Sequence, residues 1–78
     1  MILLLPISKI TTAYSRGKSS IYSDIHAGLF PRPVKVGAKS SRWPNHEVEA
    51  LIRAHIEGYS EEQIRQLVAE LEANRIQK

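Results

Sequence analysis

Gly17-Lys18-Ser19 is the first place where residue types and order suggest chemistry, because it reads as the end of a phosphate-cradling nucleotide loop. That loop also needs a glycine five positions earlier and a buried strand before it. This chain has Thr12 at that position and no such strand, so a nucleotide-hydrolysing site is excluded. His26, His46 and His55 lack metal-ligand spacing and a nearby cluster of acids. Ser23, Asp24 and His26 lie too close along one segment for an oriented base to act on a nucleophile. The chain has no cysteine, which removes a thiolate metal site, a cysteine nucleophile and a disulfide together and fits a reducing cytoplasm. The expectation is no enzyme, no cofactor and no metal.

The remaining chemistry is electrostatic. Residues 1–46 carry Lys9, Arg16, Lys18, Arg32, Lys35, Lys39 and Arg42 against the single acid Asp24. Residues 47–78 carry four bases against seven glutamates, so the net charge of +3 conceals a strongly basic first half. Basic residues interleaved with serine, glycine and scattered aromatics are the footprint of a polyanion binder. Serine hydroxyls at Ser19, Ser20 and Ser23 suit phosphate or base contacts, and Tyr22 can reach a phosphate while its ring packs beneath.

The elements that must position these groups follow from local pattern. A chain of 78 residues with 42% hydrophobic content suffices for one small globular unit with a thin core. Met1-Ile-Leu-Leu-Leu-Pro6 has no basic leader and ends at a proline, so it reads as a short strand or an apolar plug, not a signal or membrane segment. Ile7, Ile10 and Tyr14 share one face of a short helix that starts after Pro6. Ser15-Arg16-Gly17 breaks it, and a second helix runs from Lys18 to Ala27, with Ile21 and Ile25 inward and Gly28 as its C-terminal stop. Leu29 and Phe30 read as core.

Pro31-Arg32-Pro33 forces extended chain. Val34–Val36 and Ser41–Trp43 alternate as a two-stranded antiparallel hairpin around Gly37–Ser40. Trp43 sits at a strand end before a helix, which favours core packing over stacking on a base. A third helix starts at Asn45 as N-cap, with Val48, Leu51, Ile52 and then His55 and Ile56 as its buried stripe, and Glu57-Gly58 ends it. Ser60 with Gln63 forms a capping box and Tyr59 with Ile64 a hydrophobic staple. Ile64, Leu67, Val68 and Leu71 then mark an amphipathic last helix, which packs on the domain or on a partner.

Gly17-Lys-Ser-Ser-Ile-Tyr22, Gly28-Leu-Phe-Pro-Arg-Pro-Val-Lys-Val-Gly37, Trp43 and Glu47-Val-Glu-Ala50 resemble the AlpA family of prophage regulators, grouped with small phage excisionases and MerR-like winged helices. The resemblance spans about residues 3–56, and Phe30–Gly37 followed by Trp43 is its most specific part. It implies a recognition helix at 18–27 and a wing at 34–43. The family usually has Gly-Leu-Ser before that helix. Here Ser15-Arg16-Gly17 takes those places, which removes a buried leucine and a serine N-cap and leaves Arg16 available to a phosphate.

The resulting expectation is a mainly α winged helix-turn-helix at 1–57 with a small two-stranded hairpin, plus an amphipathic helix at 58–78. The resemblance implies a cytoplasmic, nucleoid-associated binder of duplex DNA, acting as a transcriptional regulator or as an excisionase. Arg16, Lys18, Ser19, Ser20, Tyr22, Ser23, Arg32, Lys35, Lys39 and Arg42 are the expected DNA contacts, with Lys9 as a further phosphate neutraliser. Integrase and further copies on repeated DNA sites are the other candidate partners. The alternative is a protein-binding module that antagonises an integrase or regulator through its last helix.

Overall fold

The computed structural model describes residues 1–75. In chain order these form β1 (Leu4–Leu5), α1 (Ile7–Tyr14), α2 (Lys18–Ala27), β2 (Val34–Lys35), β3 (Ser41–Pro44), α3 (Asn45–Ile56) and α4 (Glu61–Asn74). Ile76, Gln77 and Lys78, the end of the expected 58–78 segment, lie outside the described residues. The architecture is mainly helical with a small antiparallel sheet, as expected of a winged helix-turn-helix.

Pro6 opens α1 in an extended conformation, and α1 buries Ile10 with Ile7 and Tyr14 packed beside it. Ser15 ends the helix in the left-handed region at φ 58°, an uncommon conformation for a residue with a Cβ. Gly17 then caps α2 through backbone alone, in place of a side-chain cap. The other end of α2 is tightly closed. Gly28 at φ 80° donates to Ile25 O (3.2 Å) and Leu29 N–H donates to Asp24 O (2.8 Å), the bond pair of a Schellman stop.

β2 and β3 form the expected hairpin, with Val34 opposite Arg42 and Lys35 opposite Ser41. The sheet has a third strand. β1 pairs antiparallel with the far side of β3, Leu4 opposite Pro44 and Leu5 opposite Trp43, giving the order β1-β3-β2. The opening segment is therefore a strand and not a plug: Leu5 packs on the core, while Met1 to Leu4 stay exposed.

Two expectations for α3 are corrected. Asn45 does not cap it; Pro44 holds the N-cap position without a side-chain bond. The Asn45 side chain is taken by the start of the chain, accepting from Leu3 N–H (2.8 Å) and donating to Met1 O (3.4 Å). His55 and Ile56 are exposed. The buried stripe runs through Glu47, Val48, Leu51 and Ala54, a phase that turns His55 and Ile56 away.

The core centres on Trp43, which is fully buried and donates its indole N–H to Pro31 O (2.8 Å). Phe30 packs against it with ring centroids 6.1 Å apart, and Tyr14 packs on Phe30 at 5.1 Å. Ser60 and Gln63 form both bonds of the capping box that starts α4. From there Ile64 and Val68 enter the same core, with Leu67 and Leu71 packed against it.

Candidate nucleic-acid interface

Burial of Ile21 fixes the roll of α2 and leaves Lys18, Ser19, Tyr22, Ser23 and His26 exposed, with Ser20 half-buried. Lys18 is the first residue of the helix and forms no ion pair among the described residues. Tyr22 lies edge-on to Trp43, ring centroids 6.4 Å apart. That contact joins the outward face of α2 to the central strand of the sheet. Tyr22 is 36% exposed overall, so it packs on Trp43 while part of the residue remains at the surface.

The hairpin brings the next set together. Lys35 lies on β2 and donates from Nζ to Ser41 Oγ across the strand pair (3.0 Å). Arg42 is half-buried, with Nη1 on Ser41 O (3.0 Å). Lys39 is exposed in the turn and pairs with no acid among the described residues. Val36 N–H closes the turn on Ser40 O (2.9 Å), with Gly37 at φ 81°.

Two of the expected cations are already engaged. Arg16 pairs with Asp24 in the second turn of α2 (2.9 Å), which ties the α1–α2 turn to the helix it introduces. Arg32 is held by Glu72 of α4, through its backbone N–H (2.7 Å) and its guanidinium (3.3 Å). Lys9 is exposed on α1.

Sequence reasoning missed three polar arrangements. Glu47, only 1% exposed, is gripped by Arg75 through Nε (2.8 Å) and Nη2. Asn45 clasps the start of the chain, as described above. Tyr14 Oη meets His55 Nε2 at 2.6 Å. Burial, with Asp24 adding to it against the opposing Arg16, pushes the Tyr14 phenol up to about 12. Tyr14, Arg16, Asp24, His55 and Tyr59 border a cleft of about 470 Å³, none of whose lining residues belongs to the hairpin. No group of three or more metal-ligating side chains occurs among the described residues. No described helix is long and apolar enough to cross a membrane.

Residues 4–56 match the family described as Prophage CP4-57 regulatory protein (AlpA). The chain belongs to the AlpA family. The match runs from β1 to the last residue of α3, so the AlpA unit includes the three-stranded sheet and both helices of the expected helix-turn-helix. It excludes α4, which nevertheless supplies Ile64 and Val68 to the core and, with Arg75 immediately after it, Glu72 to its polar ties. No curated protein and no solved structure matches the chain.

Proposed function

We propose that this AlpA-family protein binds duplex DNA, with α2 in the major groove and the β2–β3 hairpin along the neighbouring backbone. The observation that carries the reading is the Tyr22–Trp43 contact. It ties α2, which carries the small hydroxyl side chains, to the central strand of the sheet that includes the basic hairpin, and this supports the reading on a chain whose family is one of prophage regulators. An α-helix fits the major groove, and short side chains let it approach base edges. Lys18, Lys35, Lys39 and Arg42 neutralise phosphates, while Ser19, Ser20, Ser23 and the Tyr22 hydroxyl make polar contacts. Arg16 and Arg32 contribute charge from within their ion pairs, and Lys9 from α1.

The biological role follows as control of a prophage or mobile element, by transcriptional regulation or by directing excision beside an integrase in the cytoplasm. A rival use of α4 as the docking face for a protein partner has less support, because its apolar stripe is occupied by this chain's own core.

Fluorescence anisotropy on a short duplex tests the proposal. Affinity falls by about tenfold or more between about 50 and 200 mM salt, as counterion release requires. Lys18→Ala combined with Ser20→Ala weakens binding while leaving the circular dichroism spectrum unchanged. A folded chain that shows no duplex binding at low salt refutes the proposal, and one whose double variant binds undiminished refutes the role of α2.

A further inference from the structure

β1 occupies an outer edge of the sheet. Along a strand, backbone groups alternate in direction. Leu3 directs its N–H to Asn45 Oδ1 and its carbonyl to Asn45 N–H, both at 2.8 Å. Met1 O also faces Asn45. The N–H and carbonyl groups of Ile2 and Leu4 therefore point away from β3. Pro44 stands opposite Leu4 and has no N–H to offer, which agrees with this register.

The side chains of this edge are equally open. Met1, Ile2, Leu3 and Leu4 are 103%, 68%, 49% and 45% exposed, and all four are apolar. Exposed edges are ordinarily guarded by charge, proline or a bulge. Here the first guard is Pro6, after the run has ended.

We propose that Ile2 and Leu3, together with Leu4 at the start of β1, form a self-pairing edge: this stretch joins antiparallel to the same stretch of a second copy of this chain, about a two-fold axis at Leu3. Ile2 of one copy then stands opposite Leu4 of the other, and each such pair exchanges both backbone hydrogen bonds. Leu3 meets Leu3 in the intervening non-hydrogen-bonded position. A second copy fits because residues 2 and 4, placed symmetrically about 3, present complementary donors and acceptors to themselves. No like charges oppose one another across the axis. Pro6, with no N–H, limits the ladder to this short stretch. The patch falls below the about 800 Å² per partner of standard interfaces, so association is weak and concentration-dependent. One consequence rests on the DNA-binding reading: the fused sheet relates two copies of α2 by a two-fold axis and suits an inverted repeat.

The test needs no DNA, so its outcome and that of the DNA-binding reading are separate. The chain has no cysteine, which makes single introduced cysteines clean reporters. In a non-hydrogen-bonded antiparallel pair the Cα atoms lie about 4.5 Å apart. That separation falls within the about 4.4–6.8 Å a disulfide spans. Leu3→Cys is expected to oxidise to a covalent dimer about tenfold faster than Ala38→Cys, placed on the exposed hairpin turn. Adding Ile2→Pro removes an outward donor, leaves the bonds to β3 in place, and brings the rate down to that of Ala38→Cys. In sedimentation velocity, the unaltered chain gains mass as concentration rises toward about 1 mM, and Ile2→Pro does not. The proposal is overturned if Leu3→Cys oxidises no faster than Ala38→Cys, or if Ile2→Pro leaves a dimer undiminished.

Discussion

Tyr14 joins three charged or titratable neighbours at one point: it bonds His55 and feels Asp24 and Arg16. Its phenol is held neutral in the fold, with the ionisation moved from 10.0 to about 12. The unfolded chain therefore releases this proton first as pH rises, and stability that is whole below pH 10 is lost between pH 10 and about 12. Urea unfolding across that range is expected to show falling stability, and Tyr14→Phe is expected to flatten the slope. A slope of the same size in Tyr14→Phe assigns it to other groups. At this scale the candidate site was only half legible in the sequence. The basic residue types and their places on helix and hairpin could be read from order. The pairing of Arg16 with Asp24 and of Arg32 with Glu72 could not, because each depends on where a carboxylate lands after folding.

Local grammar decided most elements. Gly28 after Ala27, the Ser60–Gln63 box and the alternation around Gly37 each act over a few residues, and each appears in the structure where the pattern puts it. The pairing of β1 with β3 escaped, although a short strand was one of the two readings of Met1–Pro6, because the partner lies about forty positions away and a two-residue strand leaves no period to detect. Asn45 escaped for the same reason: its short-range use as a cap lost to a long-range bond with Leu3. The α1–α2 turn is where local preference is least satisfied, since Ser15 adopts a left-handed conformation without being glycine. That conformation costs an L-residue about 1–2 kcal/mol, partly offset on replacement by the greater freedom glycine has when unfolded. Ser15→Gly is thus expected to stabilise the fold by up to about 1 kcal/mol, and Ser15→Val to destabilise it. Denaturation midpoints check both, and a Ser15→Val chain as stable as the parent contradicts the strain.

Across the whole molecule, α4 belongs to the same core as the AlpA unit although the family match stops before it. Its last tie is the Glu47–Arg75 pair, 28 positions apart, for which no sequence pattern exists. Glu47 lies in the first turn of α3, where the helix dipole favours an anion, but its burial leaves Arg75 as the charge that compensates it. Breaking one side of a buried pair costs about 3 kcal/mol or more, whereas replacing both partners with apolar residues is often neutral. Arg75→Met is expected to lower stability by that amount, and adding Glu47→Leu to recover most of it. Equal losses in the single and double variants contradict a compensating pair.

That pair also couples two distant parts of the chain. The acid is set early in α3, yet its answer comes from the far end of α4. A copy clipped after Asn74 keeps every residue proposed to touch DNA and loses the counterpart of a buried carboxylate. Loss of the tail is thereby expected to lower the stability of the whole fold, not only of its last helix. The stability of a chain ending at Asn74, measured beside Arg75→Met, reads this coupling directly.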